Sequence, residues 1–293
     1  AYTLGGVIFV VPFLLFTPAA GVLADRFSKR TITVFIKALE IFIMGLAVLP
    51  FALRLVPAAY GVLFLMAAQS ALFGPSKYGL VPELVPRDRL SPANGALTMW
   101  SYIAIVAGSA LAPTLVEWNQ GRFERAVIVC IGIAAVGWLA SLYIRPTPPA
   151  GTHAVPSWWP GRDVWRTLRS IRHDRHLITA VFASAYFSLI GAYLQLSVIP
   201  FGQLHLGLTD TQAAYLFSYG AIGIGLGAWL AGRLSGRLVE FGLVPLGALG
   251  LAIATMRLGG LGPTEVPMAR AWTLLAGVGA GLYLVPLDTF IQY

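Results

Sequence analysis

The sequence predicts an all-α membrane protein with about nine spanning helices, and three observations lead there. Hydrophobic residues make up 57% of the 293-residue chain and charged residues only 11%, with a mean hydropathy of +0.77. A soluble domain carries ~25% charged residues. So few charges cannot wet the surface of a soluble globule, and the same apolar content excludes a disordered chain. Next, nine apolar runs are each long enough to cross ~30 Å of hydrocarbon at 1.5 Å per residue. They are 2–24, 31–53, 56–75, 93–116, 126–144, 177–200, 211–232, 240–258 and 271–293. Finally, the runs do not alternate, as Gly6-Val7-Ile8-Phe9-Val10-Val11 illustrates, so helices are a better reading than barrel strands. The weakest run is 240–258, which holds Glu240 and Pro245. The 32 glycines and 19 prolines follow no collagen period, and both residues are frequent in membrane helices.

Basic and polar residues separate most of the runs. The turn Asp25-Arg26-Phe27-Ser28-Lys29-Arg30 separates the first two runs, and Arg54 marks the break before the third. Lys77, Arg87 and Arg89 lie between the third and fourth runs, and Arg122 and Arg125 between the fourth and fifth. Fourteen of the 20 Lys and Arg residues fall in one alternating set of loops and five in the other, with Lys37 inside a run. This asymmetry places the richer set in the cytoplasm. The single cysteine, Cys130, sits in an apolar run, so no disulfide or thiolate metal site is expected. No start methionine or signal peptide is present, and both ends lie in apolar runs. We therefore expect a fragment with further helices on each side.

The longest gap, 145–176, opens on the extended stretch Pro146-Thr147-Pro148-Pro149-Ala150-Gly151. Beyond it, Val164, Leu168 and Ile171 recur at helical spacing, while Arg162, Arg166 and Arg169 fall on another face. With Trp158, Trp159 and Trp165 nearby, the pattern predicts an amphipathic helix on the anionic inner leaflet. A solvated basic connector is the other reading.

An internal repeat divides the chain. Gly21-Val22-Leu23-Ala24-Asp25-Arg26 superposes on Gly232-Arg233-Leu234-Ser235-Gly236-Arg237, matching Gly, Leu and Arg at an offset of 211 residues. Parallel six-helix repeats build one large class of secondary transporters. Gly21-x-Leu23-x-Asp25-Arg26-x-x-Lys29-Arg30 resembles the signature loop between helices two and three of the major facilitator superfamily. The resemblance implies that fold, with two pseudo-symmetric bundles and helices two to ten present. Residues 1–144 would form the N-terminal bundle, 145–176 the cytoplasmic linker and 177–293 the truncated C-terminal bundle. It also implies that Asp25 and Arg26, with Lys29, Arg30 and Arg237, form a cytoplasmic latch. Gly21 is expected to permit close helix approach. A helix cap on an ordinary basic loop is the other reading, and Gly236 in place of Asp25 weakens the second copy.

A narrower resemblance lies in Pro75-Ser76-Lys77-Tyr78-Gly79, then Glu83-Leu84 and Ala93-Asn94-Gly95. With Asp174-Arg175-His176, Tyr186-Phe187, Gly191-Ala192-Tyr193-Leu194-Gln195 and Val285-Pro286-Leu287, these resemble the lysophospholipid transporter family. That family implies movement of a lysophospholipid across the bacterial inner membrane for reacylation, in some members with a fused acyltransferase. This chain lacks an acidic residue in Ala96-Leu97-Thr98-Met99, where members often carry one. A drug or metabolite antiporter of the same superfamily, or a non-transporting module docking a fused acyltransferase, are the alternatives.

Ionisable groups within spans are the candidate cavity residues, since a charge at bilayer depth costs ~2.5–3.5 kcal/mol. Lys37 and Glu40 lie three apart on one helix face. They either meet a head group or form a structural pair with Lys37 snorkelling. Asp288 lies ~26 Å along the last span from its outer end. Lys77 and Tyr78, Glu83, Asn94 and Gln195 complete the candidates. Lys77 would bind phosphate and Glu83 hold a neighbouring bundle, with a plain helix–loop contact as the other reading; Gln69, Asn94 and Gln195 equally suit helix–helix hydrogen bonds. No P-loop, HExxH, GxSxG or dinucleotide motif occurs, and His153, His173, His176 and His205 show no metal spacing. No catalytic residue, metal, cofactor or nucleic-acid partner is expected; the partners are an amphipathic substrate and membrane lipids.

Overall fold

A computed structural model describes residues 2–149, 151, 159–236 and 239–292. The described residues form eleven α-helices: α1 (Tyr2–Arg26), α2 (Lys29–Ala52), α3 (Val56–Gly79), α4 (Val81–Leu84), α5 (Leu90–Trp118), α6 (Phe123–Leu142), α7 (Pro160–Ile171), α8 (Arg175–Leu204), α9 (Asp210–Leu234), α10 (Leu243–Gly259) and α11 (Val266–Gln292). Eight are long and apolar enough to cross a membrane. The ninth expected span, 240–258, is the exception. Gly242 caps α10 and Pro245 occupies its first turn, so only 17 residues remain helical. At 1.5 Å each they extend roughly 25 Å, short of the ~30 Å hydrocarbon layer.

Local chemistry sets several boundaries. Ser28 caps α2, its side chain accepting from the Thr31 N–H. Asp174 caps α8 by accepting from the N–H groups of His176 and Leu177, both at 3.0 Å. Thr209 and Gln212 form a capping box at α9. The Lys77-Tyr78-Gly79 stretch, expected as a loop, is the last turn of α3. Pro75 is tolerated inside the helix, as proline is where neighbours re-satisfy the freed backbone groups.

The chain clusters into two compact units: residues 1–84 with 111–171, and 85–110 with 172–293. Helix α5 therefore contributes to both. In the first unit, α3 packs on α1 and α2, and α6 packs on α2. Its core is rich in alanine: Ala20, Ala24, Ala47, Ala67 and Ala71 are all nearly inaccessible. Small side chains are what helix packing uses where lipid supplies no hydrophobic drive. In the second unit α11 is central, packing against α8, α9 and α10. Leu206, Leu208, Leu216 and Leu261 form a separate apolar cluster there.

Candidate functional site

The signature loop is the best-defined constellation of the first unit. Helix α1 runs through Gly21 to Arg26, so the turn itself is Phe27-Ser28. A Cβ at Gly21 would meet nothing within 4 Å among the described residues. The close approach expected there occurs instead at Gly232, where a Cβ would lie 2.9 Å from the Ser91 carbonyl oxygen. The second copy also ends its helix earlier. Gly236 takes φ +56°, a left-handed conformation that glycine adopts without strain. Arg237 lies outside the described residues.

Three side chains of the loop are tied down. Lys29 donates to Glu83 Oε1. Its stem lies over Gly79, where a Cβ would come within 2.7 Å of Lys29 Cε. The Lys-Tyr-Gly-x-x-x-Glu stretch thus supplies both the space and the charge that receive Lys29. Arg30 Nη2 donates to the Leu142 carbonyl at 3.1 Å, and its backbone N–H donates to Thr147 Oγ1 at 3.4 Å. The hydroxyls of Ser28 and Thr147 are 3.3 Å apart. Asp25 is exposed, and Arg26 stacks its guanidinium 5.4 Å from the Phe27 ring centre. Gly79 was quoted in the motif without a role, and nothing in the sequence pointed to Thr147.

Beside this loop, Leu23, Phe27, Ile32, Phe35, Leu39 and Leu72 line an apolar cavity of about 330 Å³. Further along α2, Lys37 Nζ donates to Glu40 Oε2 at 2.7 Å and sits 5.1 Å from the Phe73 ring centre. Both groups are about three-quarters or more buried, so the pair lowers the cost of placing each charge in a span. Lys77 lies 5.4 Å from the ring centre of Tyr78. Gln69 is buried and donates to the Ile36 carbonyl at 3.3 Å, which makes it a helix-to-helix tie.

Asn94 is the polar centre of the second unit. It is 3% exposed and donates to Thr289 Oγ1 at 3.1 Å and to Gln292 Oε1 at 2.9 Å. The following residue, Gly95, lies so close to α9 that a Cβ would fall 2.5 Å from the Ala228 carbonyl oxygen. Asp288 directly precedes Thr289 on α11 and is half-buried, whereas Gln195 is exposed. Replacing Asn94 by leucine is expected to destabilise the protein by about 1 kcal/mol, since membrane helix hydrogen bonds average ~0.6 kcal/mol each. A thermal melt in detergent by size-exclusion recovery checks this; an unchanged midpoint would show that both bonds are dispensable. Among the described residues, no group of three or more His, Cys, Asp or Glu is placed to hold a metal ion.

Eight helices long and apolar enough to cross a membrane, gathered in two helical units, fit a multi-pass membrane protein. The whole chain, residues 1–293, matches the family model of the Major Facilitator Superfamily, and it belongs to that family. Among curated relatives, the lysophospholipid transporter LplT of Serratia proteamaculans (strain 568) is 26% identical over 289 residues, covering 97% of this chain and 69% of the relative. LplT of Escherichia coli (strain K12 / DH10B) is 27% identical over 297 residues with the same coverage. Among solved structures, the superfamily transporter FucP in its outward conformation is similar with a TM-score of 0.68 at 15% identity, over 98% of this chain and 80% of that one. An outward-facing bacterial homologue of the iron transporter ferroportin is similar with a TM-score of 0.66 at 17% identity, over 98% and 74%. At such identities these structures support the fold alone.

Proposed function

We propose that this protein moves lysophospholipids across the bacterial inner membrane by alternating access, the chain halves on either side of the 145–176 linker moving as bundles. The observation that carries this reading is the similarity to proteins named lysophospholipid transporters along 97% of the chain. The geometry is compatible with it. A single-chain lipid needs a polar route only for its head group, because drawing its tail into water would cost ~0.8 kcal/mol per CH₂. The apolar cavity beside the basic loop suits a tail. The Lys37–Glu40 pair with Lys77 nearby suits a zwitterionic phosphate head group. Asn94, Gln195 and Asp288 are the remaining cavity candidates in this scheme. An acyltransferase acting on the delivered lipid is the partner it implies.

The direct test reconstitutes the full-length protein in proteoliposomes with labelled lysophosphatidylethanolamine. Protein-dependent movement between leaflets is expected; its absence with folded protein defeats the proposal. In the same assay Asp25→Asn is expected to slow transport several-fold while leaving insertion intact. The exposed carboxylate of Asp25 would serve as a latch holding one state of the cycle. A wild-type rate in Asp25→Asn would remove that role.

A further inference from the structure

Helix α7 is the one amphipathic element that the transport scheme leaves unused. It packs against α1, and the linker leading to it is already fastened to the signature loop through Thr147 and Leu142. Its faces are clearly divided. Leu168 and Ile171 are half-buried, and Asp163, the only acid of the helix, is buried and lies 3.7 Å from the Arg166 guanidinium. Arg162, Trp165, Arg166 and Arg169 stand at i, i+3, i+4 and i+7, a spacing that puts them on a single face, and all four are exposed. Trp165 is 66% exposed and Trp159, just before the helix, 72%.

Two of the three aliphatic residues face protein, and the outward surface is a tryptophan set among three arginines. A tryptophan so exposed is out of place in water but suited to the head-group layer, where its apolar body and N–H are both accommodated. Arginine's planar fork pairs bidentately with phosphate. Asp163, the one acid of the helix, is buried and is near Arg166 alone of the three arginines, so the face keeps a net positive charge. We infer that the Arg162–Trp165–Arg166–Arg169 face of α7 docks on anionic lipid head groups of the leaflet at the cytoplasmic end of α1. This fixes the depth of α1 and hence of the Asp25–Arg30 loop it carries. The inference rests on the chain spanning the membrane and is independent of the substrate it carries.

A nitroxide label at Trp165→Cys, in a Cys130→Ala background of the full-length protein, reports the docking. Its accessibility to oxygen and to an aqueous nickel reagent is read in phosphatidylcholine vesicles with and without phosphatidylglycerol. A second label at Ser170→Cys, well round the helix from Trp165, serves as the internal reference. We expect phosphatidylglycerol to raise the oxygen-to-nickel ratio at 165 several-fold and to leave 170 aqueous. The shift should vanish when Arg162, Arg166 and Arg169 are all glutamine, and it should weaken as salt screens the charges. The label site and the arginines are exposed, so these variants should fold. A label at 165 that stays aqueous in both vesicles overturns the proposal. So does equal immersion in both, which would mean a neutral interface. Protection at 165 by soluble polyglutamate but not by phosphatidylglycerol would assign the face to an acidic soluble protein instead, and also overturns it. None of these readings depends on transport, so failure here is distinguishable from failure of the lysophospholipid proposal.

Discussion

Gly281→Leu is expected to abolish recovery of folded protein from membranes. A Cβ at Gly281 would fall 2.5 Å from the Ile224 carbonyl oxygen and closer still to the Ala228 nitrogen. Gly277, one turn earlier, is equally tight against Gly220. On the opposite side of α11, a Cβ at Gly279 would lie 2.7 Å from the Gly247 carbonyl oxygen of α10. The central helix of the second unit is thus held by backbone-to-backbone contact on two faces. Overpacking a core typically costs ~1–3 kcal/mol, when side chains can shift. Here the obstructing atoms are backbone on both sides, so α9 would have to separate from α11. That cost approaches the ~5–15 kcal/mol total stability of a typical domain. Size-exclusion recovery in mild detergent is the measurement. Gly45→Ala is the comparison: that glycine is exposed and an added Cβ meets nothing within 4 Å, so its yield should be unchanged. Normal recovery of Gly281→Leu would mean that α9 and α11 do not pack as described.

Reversing one charge of the Lys29–Glu83 pair is expected to have the largest effect on activity. The two side chains are 12% and 22% exposed and lie 54 residues apart in sequence. Lys29→Glu would place two carboxylates face to face at the signature loop. Contacting pairs show coupling of ~0.5–3 kcal/mol, and 1.4 kcal/mol is about a factor of 10. We expect roughly a tenfold loss of transport in Lys29→Glu and a comparable loss in Glu83→Lys. The double exchange should recover most of the rate, because opposite charges again face each other at the loop. Single variants that fold but transport normally would dissociate the pair from the cycle. A double exchange no better than either single would show that each residue acts through some other group.

Most secondary structure was legible in the chain itself. Burying a peptide group in lipid is unfavourable unless its hydrogen bonds are closed within the helix, so apolar length alone located eight spans. Where the reading failed, a local rule met a competing one. Helix α10 began three residues later than its apolar run, at Leu243 after Gly242, and so has 17 residues. The third apolar run ended at Pro75, yet α3 continues through it to Gly79. For α7, the pattern showed two faces but not which one turned toward protein.

The sequence by itself determined most of the segments that are helical and the eight that are long and apolar enough to span. Each of these depends on the hydration of a residue and its near neighbours along the chain. Only the tertiary structure decided that Lys29 reaches Glu83 across Gly79, that Asn94 finds Thr289 195 residues away, and that Gly281 faces α9 while Gly279 faces α10. Lipid tails are as apolar as a leucine core, so hydropathy carries little record of how a spanning helix is rotated about its axis. That rotation is set by backbone contact and a few polar ties, which exist only once the helices have met.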